Sequence, residues 1–284
     1  MIKGIILDVD GVLIGNKPGY NWPMPNPKVM DALKNLRQSG IFVCLCTGKG
    51  TFSIRKIVEK ANLDNIHIGD GGAVAVDFIN RRIFDKHFIN SEIAGKLVFM
   101  FRNNGIYVEA YTTEGYLIEK KTTSEITQKH SLILGVEPGT VKSLPDVVGM
   151  LDIVKVMPIA RDEKEKKFII KLFEPYRDLL TLQWGVHPTA LPYQFGIITA
   201  KNISKSQAVR VISRTVDVQL DDLLGVGDSD TDWEFIKICG YKGVMGNGSP
   251  DLKANVGNAE NGYLGKSVNE NGVLDIFSHF GLKY

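Results

Sequence analysis

The order of apolar runs along the chain points to an α/β protein, a doubly wound parallel sheet into which a separate α+β module is inserted. Three observations carry this expectation. Four short β-branched runs, "GIILDVD", "IFVCLCTG", "NIHIGDGG" and "LLGVGDSD", each stop at Gly, Asp or Thr. Between the first three lie segments whose apolar residues recur at helical spacing. From about residue 83 to residue 189 that alternation gives way to hairpin-like runs.

The first run is followed by "NPKVMDALKNLRQSG", where Val29, Leu33 and Leu36 share a helical face and Gly40 supplies the stop. After the second comes "TFSIRKIVEKANL", with Phe52, Ile57, Val58 and Ala61 assigned to one side of a helix. Continuous apolar strands alternating with amphipathic helices imply a sheet covered on both faces, because right-handed crossovers lay helices over it. In the middle third, "GIYVEAYTTEGYLIEK" reads as two strands turning around Thr113 to Gly115, and "MLDIVKVMPIA" as another strand. "RDEKEKKFIIKLFEPY" reads as a helix ending near Pro175, and "LLTLQWG" as the strand after it. The parallel pattern then resumes through a helix, "SKSQAVRVISRTV", and a strand, "DLLGVGDSD". Residues 1–82 and 190–284 are therefore expected to form one domain, and 83–189 the inserted one.

At 284 residues the chain is long enough for a substantial core, and 44% apolar with 23% charged residues is ordinary for a globular protein. A net charge of +2, with no basic stripe interleaved with aromatics, gives no electrostatic reason to expect a nucleic-acid partner. No run approaches the roughly 18 apolar residues of a membrane span. The apolar start "MIKGIILDVD" is interrupted by Asp8 and is too short for a signal peptide, so a cytoplasmic location is the expectation. Cys44, Cys46 and Cys239 form neither a disulfide framework nor a C-x-x-C pair, and the first two are expected to be buried strand residues.

In a parallel sheet the carboxyl ends of the strands share one edge, and ligands bind in the crevice beyond it. Asp8 and Asp10 close the first run, Thr47 the second and Asp228 the late one, so residues remote in sequence are expected to meet. A lone Asp at a strand end is ordinarily a turn former. Asp8, Asp228, Asp230 and Asp232 together would repel one another unless a cation lay among them. Oxygen ligands with no Cys or His nearby suit Mg²⁺, which keeps waters and leaves places for a phosphate oxygen. Two other readings fail on spacing. A calcium loop opening at Asp228 needs Gly at its sixth place and Glu at its twelfth, where Trp233 and Cys239 stand. A phosphate-gripping P-loop ending at Gly265 to Ser267 has Glu260 in place of its first glycine.

Four motifs, "DVDGVL" at Asp8 to Leu13, "CTGK" at Cys46 to Lys49, "SKSQAV" at Ser204 to Val209 and "GDSDTD" at Gly227 to Asp232, stand in the order found in the haloacid dehalogenase superfamily. The chain resembles that superfamily over nearly its whole length, and the insert lies where the Cof-type, subclass IIB sugar-phosphatase-like branch carries an α/β cap. The resemblance implies a Rossmann-like core. It implies Asp8 as a nucleophile that forms an aspartyl-phosphate, and Asp10 as the acid that protonates the leaving oxygen and then the base that activates water. Gly11 would let the backbone approach the ligand, with exposed amides beyond the strand binding phosphate oxygens. Thr47, Gly48 and Lys49 would line the phosphoryl site, and Lys205 would offset negative charge there. A lysine at a helix start is otherwise badly placed for the helix dipole. Mg²⁺ would be held by Asp8, the backbone carbonyl of Asp10, Asp228 and Asp232, with Asp230 a spectator.

Departures from the family pattern are Val12 for Thr, Lys49 for Arg, Thr231 for Asn and "DGGA" at Asp70 to Ala73 for Asn-Gly-Ala. Asn247, in "GVMGNGSPDLK", matches a position near the active edge of related proteins, and Trp184, His187 and Tyr193, near the return from cap to core, are candidates for substrate contact. The expected function is a Mg²⁺-dependent phosphatase of a small phosphorylated metabolite, a sugar phosphate first, acting as monomer or homodimer. A phosphoglycolate-type phosphatase, a phosphomannomutase-like mutase and a non-catalytic phospho-ligand binding protein are the alternatives.

Overall fold

The structure, a computed structural model, describes residues 1–284, all but Pro188 with their side chains. Its first strand, β1 (Gly4–Leu7), is buried throughout. Alternation sends Ile5 and Leu7 into one apolar cluster and Ile6 into the other. A strand with both faces covered has no use for polar side chains, which is why the run stays apolar until Asp8.

In chain order β1 is followed by β2 (Phe42–Leu45), β3 (His67–Gly69), β4 (Val74–Asp77) and β5 (Arg82–Lys86). Next come β6 (Tyr107–Tyr111), β7 (Tyr116–Glu119), β8 (Gly139–Val141), β9 (Lys155–Ala160), β10 (Leu180–Val186) and β11 (Gln194–Ala200). The last three are β12 (Leu223–Gly227), β13 (Tyr241–Val244) and β14 (Gly262–Leu264). Five strands in the order β14-β13-β12-β1-β2 make the parallel core sheet. The helices Pro27–Gln38 and Thr51–Ala61 cover one face, through Val29, Leu33, Leu36, Ile54, Ile57 and Val58. The helices Lys205–Thr215 and Pro250–Gly257 cover the other, through Val209, Ile212, Leu252 and Val256. All three cysteines are free and buried.

The run "NIHIGDGG" joins this sheet less fully than its composition implies. Its ladder pairing with the second run is a single parallel bridge, Cys46 to Ile68, and β3 instead opens a three-stranded antiparallel sheet with β4 and β5. The reason is local: Asp70 and Gly71 both take positive φ, turning the chain straight back into β4.

The inserted module is a six-stranded sheet, β10-β11-β9-β6-β7-β8, antiparallel except for the β7–β8 pair. The helices Ser91–Asn103 and Glu163–Phe173 pack on one face, through Leu97, Val98, Phe101, Ile169 and Phe173. Strand β11 lies on the cap side of the expected return at residue 190, since it pairs with both β10 and β9. The other expected boundary, after residue 82, falls inside β5. "QFGIITA" reads equally well as a strand of either sheet, and only the pairing decides.

Phe52 is also placed differently from the expectation. It leaves the core face of its helix and stacks on Tyr111 and Tyr116 of the cap, each ring 6.0 Å away. Among the described residues no helix is long and apolar enough to cross a membrane.

Candidate active site

Register brings the motifs together. Leu7, the last residue of β1, lies opposite Leu45 on one side and Val226 on the other, so Asp8, Cys46 and Gly227 leave the sheet at one level. The Asp8 amide donates to the Val226 carbonyl (3.0 Å) and the Cys46 amide to the Leu7 carbonyl (2.7 Å), which fixes that edge.

Asp8, Asp228 and Asp232 each offer an oxygen within 4.8 Å of the others. Lys205 Nζ donates to Asp8 Oδ1 and to Asp232 Oδ1, at 2.7 Å each. This lysine opens the helix Lys205–Thr215, whose cap is the Ser204 hydroxyl. The positive end of a helix repels a cation, and the two carboxylates hold it there. Burial alone would lower the Lys205 pKa, but Asp232 and Asp8 outweigh it and raise the pKa well above its ordinary value.

The acids remain underneutralised. Burial, opposed by Lys205 and reinforced by Asp232 and Asp10, pushes Asp8 up to about 7. Asp228 is likewise driven well above the carboxylate range by burial and then by Asp232, Asp8 and Asp10. A cup of hard oxygen donors that one ammonium does not neutralise suits a divalent cation of the Mg²⁺ kind. Asp232 differs from the other two. Its Oδ1 is taken by Lys205, and its Oδ2 accepts from the Asp228 amide, the Ser229 amide and the Ser229 hydroxyl.

Gly11 explains why a glycine follows the paired acids. Its φ is +76°, and a Cβ there would lie 1.9 Å from Asp228 Oδ2. Any side chain would both strain the turn and displace Asp228. The Gly11 amide itself donates to the Ile14 carbonyl (2.8 Å), so what this residue contributes to the corner is space. Asn247 fastens the same corner: its Nδ2 donates to the Gly11 carbonyl (3.0 Å) and to Asp228 Oδ2 (3.3 Å), and its Oδ1 accepts from the Val268 amide (2.8 Å). It orients an acid and a loop.

Asp10 sits in a different field. Lys49 Nζ is 2.7 Å from Asp10 Oδ1, and His187 Nε2, arriving from the end of the cap, is 3.5 Å from the same oxygen. Burial would raise the Asp10 pKa, but Lys49 and His187 reverse this and hold it well below the usual carboxylate range. A backbone N–H can only donate, and that of Thr189 donates to His187 Nδ1 (3.3 Å), so the neutral imidazole carries its hydrogen on Nε2, toward Asp10. Thr47 is buried, and its Oγ1 accepts from the Lys49 amide (3.1 Å), which leaves the hydroxyl hydrogen free to donate.

These residues, with Gly48, line a cavity of about 600 Å³ between core and cap, and Trp184 reaches it from β10. The apolar wall opposite the acids is formed by Ile133, Leu134, Met157, Phe195 and Ile197. Two buried polar groups of the cap were not singled out from the sequence. Lys155, from β9, pairs with Asp70 Oδ1 at 3.0 Å and donates to the Gly48 carbonyl at 2.9 Å, so it ties the cap to the loop that carries Thr47 and Lys49. Glu109, from β6, is fully buried and holds His130 on the cavity wall. The available signal was a charged residue inside each of two apolar strand runs, "YVEAY" and "IVKVMPIA".

A family model described as haloacid dehalogenase-like hydrolase matches residues 5–277. A phosphoglycolate phosphatase of Staphylothermus marinus is 36% identical over 89% of each chain. The 5-amino-6-(5-phospho-D-ribitylamino)uracil phosphatase of Bacillus subtilis is 20% identical over 96% of each. Among solved structures, a haloacid dehalogenase-like hydrolase from Bacteroides thetaiotaomicron superposes with a TM-score of 0.85 at 17% identity, covering 99% of this chain and 100% of that one. A HAD subclass IIB sugar phosphatase superposes with a TM-score of 0.78 at 19% identity, covering 98% and 99%.

Proposed function

Starting from the fact that the chain belongs to the haloacid dehalogenase-like hydrolases and is a phosphatase of their Cof-type branch, we propose that it is Mg²⁺-dependent and hydrolyses a sugar phosphate or similar small phosphate monoester through an aspartyl-phosphate on Asp8. The observation that carries this reading is the convergence of Asp8, Asp228 and Asp232 around Lys205 at the carboxyl edge of the core sheet.

Asp8 attacks phosphorus as the bond to the leaving oxygen breaks, and Asp10 gives that oxygen a proton. Water then attacks the acyl-phosphate, Asp10 takes the water's proton, and inorganic phosphate leaves with Asp8 regenerated. The close pairing of Lys49 with Asp10 favours the carboxylate, the form needed as base. Service as acid therefore requires Lys49 to turn from Asp10 toward the phosphoryl oxygens, where the Thr47 hydroxyl also donates. Lys205 draws Asp8 toward its anionic form against burial and aims it. Asp8, Asp228 and the Asp10 backbone carbonyl would hold Mg²⁺, which when bound supplies positive charge against the carboxylates and the phosphoryl oxygens. The occupied oxygens of Asp232 make it the anchor of Lys205 and of the loop carrying Asp228, closing the cup from behind.

One specific observation favours phosphoglycolate as the second reading, the 36% identity to a phosphoglycolate phosphatase. Phosphate release from a panel of sugar phosphates and from 2-phosphoglycolate, with and without Mg²⁺, tests both. Faster turnover of a sugar phosphate supports the first reading, and turnover confined to 2-phosphoglycolate the second. Isomer formation without phosphate release would point to a mutase and overturn both.

A further inference from the structure

Strand alternation places Tyr107, Glu109 and Tyr111 on one face of β6. The Tyr111 hydroxyl donates to Glu109 Oε2 (2.7 Å) and the Tyr107 hydroxyl to Glu109 Oε1 (3.2 Å). Burial, and then Glu109 itself, push both phenol pKa values far up, so the two hydroxyls stay donors. A carboxylate with two such donors can only accept again, and its next partner is His130 Nδ1, 2.9 Å from Oε2. The hydrogen of the neutral His130 ring is thereby fixed on Nδ1. His130 sits in the helix Glu125–Leu134, is 4% exposed and packs at a tilt against Phe195, the ring centroids 4.7 Å apart. Its ring lines the same cavity as Asp8, and Nε2 has no protein partner among the described residues.

We propose that His130 Nε2, positioned by Glu109, reads a hydroxyl of the leaving group, so that the cap selects phosphorylated polyols over phosphorylated carboxylic acids. This rests on the phosphatase reading above and narrows its substrate class. A hydroxyl satisfies either state of the ring, since it donates to the neutral Nε2 lone pair and accepts from a protonated Nε2–H. A carboxylate satisfies only the second and meets the neutral ring acceptor to acceptor. The neighbouring wall, with Ile133, Leu134, Met157 and Phe195, leaves little else to solvate a polar group there. The two cations nearby are engaged elsewhere. Lys155 is paired with Asp70, and Lys166 lies over the Trp184 ring at 5.2 Å.

The test compares kcat and KM for glucose 6-phosphate, ribose 5-phosphate, glycerol 3-phosphate, 2-phosphoglycolate and p-nitrophenyl phosphate across the natural chain, H130L, H130Q and E109Q. A site built to bond a hydroxyl loses much when the bond goes: H130L should raise KM for the best polyol phosphate about tenfold or more, with p-nitrophenyl phosphate turnover held within about twofold. H130Q, which keeps an acceptor, should recover part of the loss, and E109Q should fall between the two. Unchanged p-nitrophenyl phosphate turnover also reports that each variant is folded, and if H130L does not fold, H130Q and E109Q decide. Equal losses on polyol and aryl phosphates, no loss on either, or a natural preference for 2-phosphoglycolate would overturn the assignment while leaving the phosphatase reading intact. A natural chain inert on all five substrates with Mg²⁺ would overturn that reading, and this assignment with it.

Discussion

Lys155 of the cap and Asp70 of the core form an ion pair 3.0 Å long in which neither side chain reaches solvent. Asp70 also accepts from the Thr51 amide (3.1 Å), at the start of the helix that follows the loop carrying Thr47 and Lys49. The buried negative charge of Asp70 is matched by a lysine from the cap sheet. Burial pushes the Asp70 carboxyl up and Lys155 pulls it back. Removing one partner of such a pair strands the other, at a cost of about 3–5 kcal/mol. K155M should therefore destabilise the fold by that order in chemical denaturation, and D70N combined with K155M should cost less than the two single changes added. Strict additivity would mean the pair is not coupled.

Gly11→Ala should leave the fold intact and disable the site. The added methyl meets Asp228 Oδ2 at 1.9 Å, in a backbone region with φ of +76°. Displacement of a site group by about 1 Å can cost on the order of 100-fold in rate. Phosphate release should fall by at least that order while far-ultraviolet circular dichroism stays unchanged. Near-normal activity would show that Asp228 has no fixed place in the mechanism.

Asp228 and Asp232 should separate in their response to metal. D228N removes an oxygen that would face the proposed Mg²⁺, so its activity should be restored in part by raising Mg²⁺. D232N loosens Lys205 and the 228–229 backbone, so about 10- to 100-fold of activity should be lost without rescue by added Mg²⁺. Rescue of D232N alone would exchange the two roles.

His67 gives the fold a pH dependence of definite sign. It is fully buried, accepting from the Leu45 amide at Nδ1 (3.2 Å) and facing the Leu63 carbonyl at Nε2 (3.1 Å). Burial lowers its pKa from 6.5 to about 4, against the pull of the Leu63 carbonyl. Between those values the unfolded chain binds the proton and the folded one does not, so stability falls as pH drops through the window, by about 3 kcal/mol in total. Urea unfolding of H67N should show a shallower loss between pH 7 and pH 4 than the natural chain. Parallel profiles would remove His67 from the balance.

The acidic edge of the core sheet was legible because it rests on local pattern. Short apolar runs stop at acids, and a parallel sheet brings those stops to one side, so Asp8 and Asp228 could be placed together from the string alone, whereas Lys205, at a helix start, came only with the family resemblance. What escaped was pairing between remote segments. "QFGIITA" has the same alternation whether β11 joins the core or the cap, and "NIHIGDGG" looks like a core strand although a single bridge is its only ladder pairing there. Glu109 and Lys155 were passed over within strand runs whose apolar neighbours set the reading, and nothing local says that their partners are His130 and Asp70. Gly11 was expected to let the backbone approach a ligand, and nothing local says that the space it leaves is bounded by the Asp228 carboxylate.

The most direct measurement is to quench the enzyme in acid during turnover with Mg²⁺ and a phosphate ester, reduce with borohydride, and map the modified residue by peptide mass spectrometry. An acyl-phosphate is reduced where it formed, so the expected result is modification at residue 8, absent from D8N. Turnover with residue 8 unmodified, or modification at another carboxylate, would contradict nucleophilic attack by Asp8.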